Sequence, residues 1–180
     1  MSIPLVGAVN RGTFLPTAEG EIRLLLLIDA FSRQREGLQG RTKLAKLDFL
    51  LRYPAFLKRA LRAKNVEVGD DEVFLSPNPI EQRMVRYRFG PWDPSYFALL
   101  GSLIGRGLIG VVPYNRGLGY KTTDKGAELA RTMRSDPSWQ KVSTSTELLH
   151  RHFNLAGTTL KGFVYQTFPE VSEARWTEEL

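Results

Sequence analysis

Apolar residues recur along the chain with two periods, and the change of period marks the elements. Tyr96, Phe97, Leu99, Leu100, Leu103 and Ile104 lie on one broad face at helical spacing. Asp93 is placed to cap that helix, and Pro94 suits its first position, where no N–H is needed. Gly107 suits the left-handed residue that stops it, with Arg106 at the negative end of its dipole. Residues 108–112 are short, branched and strand-like. Asn115, Arg116, Gly117 and Gly119 then supply turn chemistry, and residues 120–122 return as a second strand. Thr123 can cap a further helix with Asp124 in its first turn.

Upstream, residues 1–18 read mostly as loop. Residues 21–32 read as a helix in which Ile22, Leu25, Leu26, Ile28 and Asp29 mix core and surface. Residues 33–40 form a polar turn. Thr42 is the expected cap of a second helix, whose Leu44, Leu47, Leu50 and Leu51 point inward. Tyr53-Pro54 interrupts it, because the residue before a proline resists helix. A third helix follows over residues 55–64, then an acidic turn over residues 69–72 and a loop bracketed by Pro77 and Pro79. Residues 84–89 read as a strand or a short helix. Beyond the hairpin, helices are expected over residues 125–133, 138–153 and 157–167, the last ended by Pro169.

A helix, a hairpin and another helix, in that order from Trp92 to Leu129, is how a winged helix ends. The expected class is therefore α+β and mostly helical. A winged-helix domain would span residues 1–136 with a helical insertion over about residues 53–91. Residues 137–180 would form a C-terminal helical segment for docking a partner. Between Asp93 and Ile104 the third core helix offers Ser95 and Ser102 but no arginine, lysine, asparagine or glutamine. Those side chains make the paired hydrogen bonds to base edges, so sequence-specific readout through this helix is disfavoured.

Charge adds a second feature. The chain has 180 residues and a net charge of +6. Between residues 41 and 64, Arg41, Lys43, Lys46, Arg52, Lys58, Arg59, Arg62 and Lys64 face only Asp48. Near the C-terminus Glu170, Glu173, Glu178 and Glu179 face only Arg175. A basic middle and an acidic end suggest two contacts. The basic residues suit phosphate contacts without base readout, and Arg41, Lys43, Lys46, Lys58, Arg59, Arg62, Arg116 and Lys121 are the expected DNA-binding set. A solvated face, or an acidic protein partner, is the alternative.

Chemistry is not expected. The absence of cysteine excludes disulfides and thiolate metal sites. His150 and His152, the only histidines, would diverge by about 200° on a helix and could not share a metal. Asp70, Asp71 and Glu72 are consecutive acids of a kind more often solvated than metal-bound. Gly105, Gly107 and Gly110 match G-x-G-x-x-G but follow a helix and open a strand, the reverse of the dinucleotide-binding context. The chain is expected to be non-catalytic, with neither cofactor nor metal. Its N-terminus lacks the pattern of a signal peptide, and its longest aliphatic run, Leu24 to Ile28, is too short to span a bilayer. The expected location is the cytoplasm.

Three blocks carry a family resemblance: KLDFLLRYP at residues 46–54, YRFGPWDPSYFALLGSLIGRGLI at residues 87–109, and GTTLKGFVYQTFPEVSEARWTEEL at residues 157–180. Together they resemble the small middle component of ABC three-component systems, which include the Lamassu anti-phage and anti-plasmid defence systems. The resemblance implies a non-catalytic accessory subunit. Its partners would be an SMC-like coiled-coil ATPase, an effector subunit that is often a nuclease, and double-stranded DNA bound non-specifically. On this reading Leu160, Phe163, Val164, Phe168 and Glu170 form the docking face for the ATPase. The alternative is a stand-alone winged-helix transcription regulator, which would dimerise on a palindromic site.

Overall fold

The helix at the centre of the molecule is α1 (Ala18–Phe31). Thr17 caps it by accepting a hydrogen bond from the Gly20 N–H at 3.1 Å. Leu24, Leu25, Leu26, Leu27 and Ile28 are all fully buried, so α1 is enclosed nearly all round and does not divide into a core face and a surface face. The computed structural model describes residues 16–69, 84–87, 90–115, 117–175 and 180. The expected acidic turn beyond Gly69, the loop at Pro77 and Pro79, Arg116, and most of the N-terminal loop lie outside the described residues.

After α1, the stretch read as a polar turn contains a short strand, β1 (Leu38–Gln39). Next come α2 (Arg41–Arg52) and α3 (Pro54–Ala63), the latter opened by Pro54 at its first position. β2 (Val85–Tyr87) and β3 (Gly90–Trp92) pair antiparallel, which resolves residues 85–87 as strand. α4 (Tyr96–Gly105) starts later than expected, because the Asp93 carboxylate accepts from the Ser95 N–H and hydroxyl in a turn that precedes the helix. Gly107 adopts a left-handed φ of 69°, and the Leu108 N–H returns to the Leu103 carbonyl, closing the helix as expected.

β4 (Ile109–Tyr114) and β5 (Gly117–Thr122) form the hairpin, with Ile109 opposite Thr122 and Tyr114 opposite Gly117. β1 adds to the outer side of β5, giving a three-stranded antiparallel sheet in the order β1-β5-β4. Gly119 serves this pairing rather than the turn: a Cβ there would stand 2.4 Å from the Glu36 carbonyl oxygen. Thr123 caps α5 (Asp124–Ser135) by accepting from the Gly126 N–H. A 3₁₀ turn (Pro137–Trp139) leads to α6 (Gln140–Phe153), α7 (Gly157–Thr167) and a short α8 (Pro169–Glu173).

One hydrophobic core joins these elements. Leu44, Leu47, Phe49 and Leu50 of α2 pack in it with Leu149 and Phe153 of α6 and Leu160 and Val164 of α7. The C-terminal helices thus complete the same core that α1 and α2 begin. The chain is α+β and mostly helical. Among the described residues, no helix is long and apolar enough to cross a membrane.

Candidate nucleic-acid and partner interface

The basic run from residue 41 to residue 64 spans two helices with opposite environments. α2 lies among β3, α3 and the C-terminal helices, with Arg23 and Phe31 of α1 against it, and its charges turn inward. Asp48 is fully buried and receives the Arg23 Nε–H at 2.8 Å and the Tyr96 hydroxyl at 2.7 Å. Arg52 approaches the same carboxylate at 3.1 Å and also pairs with Asp93. Burial alone would push the Asp48 carboxyl up; the Arg23 and Arg52 guanidiniums and the Tyr96 hydroxyl outweigh it and hold it below its ordinary value. Burial, with the Asp48 charge beside it, pushes the Tyr96 hydroxyl well up. Arg52 therefore neutralises core carboxylates and adds nothing to a surface stripe.

Two expected DNA contacts on α2 are likewise internal. Lys43 donates from Nζ to the Asn154 side-chain oxygen at 3.0 Å and lies over the Phe31 ring, and burial lowers its pKa. Lys46 is 2 % exposed and donates to the Thr42 carbonyl of its own helix at 3.1 Å. Burial, reinforced by the Lys161 charge, brings its ammonium down to about 8. Neither can lie flat against a duplex, which corrects their place in the expected set. Thr42 does not cap α2 either: the cap is Gly40, with no side-chain bond, and the helix starts at Arg41.

Other members of the set stand at the surface. Arg41 is exposed at the start of α2, with its guanidinium 4.8 Å from the centre of the Phe97 ring. Arg62 is exposed on α3, and half-buried Lys58 shares with it a recess that includes Glu67. Lys121 is half-buried on β5, its stem against Gly37. Arg59 is exposed but committed. It pairs with Glu170, donates to the Thr167 carbonyl at 3.0 Å, and lies over the Phe56 and Phe168 rings. The basic middle and the acidic end, read as two contacts, meet each other here. The Arg59 hydrogen bond holds the Glu170 carboxyl below its ordinary value.

The expected docking face is also internal. Leu160, Val164 and Phe168 are fully buried against α2 and α3, and Phe163 is half-buried with its ring centre 5.4 Å from that of Phe153. Leu160, Phe163 and Val164 lie on α7 while Phe168 follows its end; helical spacing could not distinguish a face turned to this chain's own core from one left for a partner.

Large exposed apolar residues lie elsewhere, at Phe97, Ile104, Val111 and Leu118. Phe97 and Ile104 belong to the broad apolar face read from the helical spacing, yet both stand exposed. On α4 they stand seven residues apart with Gly101 and Gly105, both exposed, on the same stripe. Val111 and Leu118 share one face of the β4–β5 hairpin by register. The visible signal was the breadth of the apolar face of α4, wider than one core contact needs. Among the described residues, no group of three histidine, aspartate or glutamate side chains is placed to hold a metal. Comparison with family models, curated proteins and solved structures found no match to this chain.

Proposed function

We propose that this protein is a non-catalytic accessory subunit, built on a winged-helix core, that docks onto an SMC-like coiled-coil ATPase of a defence complex. Non-specific DNA contacts supplement the docking. The order α1-β1-α2-α4-β4-β5, with three helices backed by a three-stranded sheet, supports the winged-helix reading. The stretch from α3 to β3 is then the insertion between the second and third core helices.

The observation that carries the functional reading is the outer stripe of α4. In the standard mode this helix would enter the major groove and read bases. Here its exposed positions are Phe97, Gly101, Ile104 and Gly105. Such a surface has nothing to pair with base edges, whereas exposed aromatic and aliphatic side chains suit the desolvated centre of a protein interface. Arg41, whose guanidinium lies over Phe97, remains for phosphate contact beside this stripe, and Arg62 is a second exposed cation on α3.

Co-expression with an SMC-like coiled-coil ATPase encoded beside this chain tests the reading. The two should co-purify, and Phe97→Asp with Ile104→Asp should abolish co-purification without lowering the melting temperature, since both positions are exposed. Co-purification unaffected by that pair would sink the docking surface. A homodimer bound to a palindromic DNA site would favour a transcription regulator instead. For DNA, Arg41→Glu with Arg62→Glu should weaken binding and flatten the plot of log affinity against log salt by about 0.9 per lost phosphate contact.

A further inference from the structure

A groove of about 640 Å³ lies between the start of α2, the end of β4 and the start of α7, lined by Thr42, Lys46, Tyr114, Gly157, Thr158 and Lys161 among others. Both helices open onto it without a side-chain cap, at Gly40 and at Ala156. The first turns of the two helices contribute Thr42, Gly157 and Thr158 to its wall. Helix termini alone make no site, but the lysines between them add a separate requirement. Lys46 is 2 % exposed, and among the described residues its only acceptor is the carbonyl of Thr42. Among the described residues, two of its three ammonium hydrogens have no partner, and no carboxylate pairs with it or with Lys161.

Gathering two like charges in a partly dry space without a counter-ion is unfavourable. Burial lowers the pKa of the Lys46 ammonium, and the Lys161 charge adds to that in the same sense. A second orphan sits nearby: the Tyr165 hydroxyl is buried without a partner. A Cβ built on Gly90 would lie 3.8 Å from both that oxygen and Lys46 Cε, so the two side chains flank the same glycine. An anion with several acceptor oxygens would satisfy both lysines and the Thr42 and Thr158 hydroxyls together.

We propose that this groove binds a terminal phosphate, with Lys46 and Lys161 as its charged donors. Two positive groups match a dianionic monoester. The depth of Lys46 excludes an internal duplex phosphate, which carries a sugar on both sides and cannot reach a buried ammonium. The same chemistry is offered by inorganic phosphate, by a nucleotide monophosphate and by the 5′-phosphate end of a DNA strand. The last would deepen the DNA-sensing reading, because it would let the subunit recognise a broken end without reading its sequence.

Titration calorimetry of the full chain at pH 7 separates these sources. The probes are inorganic phosphate, adenosine monophosphate, and one short duplex carrying either a 5′-phosphate or a 5′-hydroxyl. Binding of either small phosphate, or at least tenfold tighter binding of the 5′-phosphate duplex, supports the site; the pattern identifies the source. Lys161→Ala, an exposed position that leaves the fold intact, should weaken the binding at least tenfold, and Lys46→Met should abolish it. Silence with both small phosphates together with equal affinity for the two duplexes overturns the proposal. So does binding that Lys161→Ala leaves unchanged. The ATPase-docking test through Phe97 and Ile104 is unaffected by either result, so the two readings fail separately.

Discussion

α2 and α3 are neighbours of similar composition, yet they treat their charges in opposite ways. α2 is buried along almost its whole length, and Lys43, Lys46, Asp48 and Arg52 are all internal. α3 buries only Leu57, Ala60 and Leu61 and leaves Arg59 and Arg62 at the surface. α2 is enclosed because β3, α3, α6, α7 and β1 pack around it and α1 reaches it through Arg23 and Phe31; α3 rests at the edge, touching chiefly α2 and α7. Charge on α2 therefore acts in low dielectric, where pairing matters and an unpaired group is costly. Charge on α3 is screened and available to a partner. Counting basic residues along the chain joins two helices that physics separates.

Removal of Asp48 gives the largest expected effect. Asp48→Ala leaves Arg23 and Arg52 buried without their shared carboxylate and should lower stability by about 3–5 kcal/mol, read from urea unfolding. A loss below about 1 kcal/mol would mean that the charges of α2 are no more buried than those of α3. The same carboxylate gives an acid dependence. Its pKa is lowered on folding, so its contribution is present above the unfolded value near 4 and is lost as pH falls below it.

Lys46 works in the other direction. Its pKa is lowered from 10.5 to about 8 on folding, so the unfolded chain holds more protons between those values. Stability attributable to this group therefore rises as pH increases from about 8 to 10.5. Against Lys46→Met, the wild type should gain about 3 kcal/mol across that interval. Parallel stability curves for the two proteins would place the ammonium in solvent.

On α3 the effects are small. A double-mutant cycle on Arg59 and Glu170, each changed to alanine, should give a coupling of about 0.2–1 kcal/mol that shrinks in high salt, as for exposed ion pairs. A coupling of several kcal/mol would show α3 to be as enclosed as α2. Smallest of all, Arg62→Ala should change stability by no more than about 0.5 kcal/mol, with any effect confined to DNA affinity.

Legibility in the sequence followed the range of the interaction. Gly107 and Thr123 act within a turn of their own helices, and their roles were readable because hydrogen bonds to near neighbours decide them. β1 was missed because two residues carry no periodicity and exist as a strand only through β5. The groove at Lys46 was equally hidden: its lysines come from helices more than a hundred residues apart, and neither local pattern names the other. Of the expected partner-docking residues, Leu160 and Val164 lie on α7, Phe168 just past its end and Glu170 on α8, and the burial of the first three in the chain's own core lay outside their local spacing.

The sequence by itself determined the helices other than α8, the β4–β5 hairpin, the caps that start and stop several of them, and the absence of base-reading side chains on α4. These follow from period, side-chain type and contacts a few residues away. Only the tertiary structure decided which charges reach solvent. Arg23 meets Asp48 across 25 residues and Arg59 meets Glu170 across 111. Burial and pairing at such range depend on which helix surrounds which, and that choice is made by packing the whole core at once.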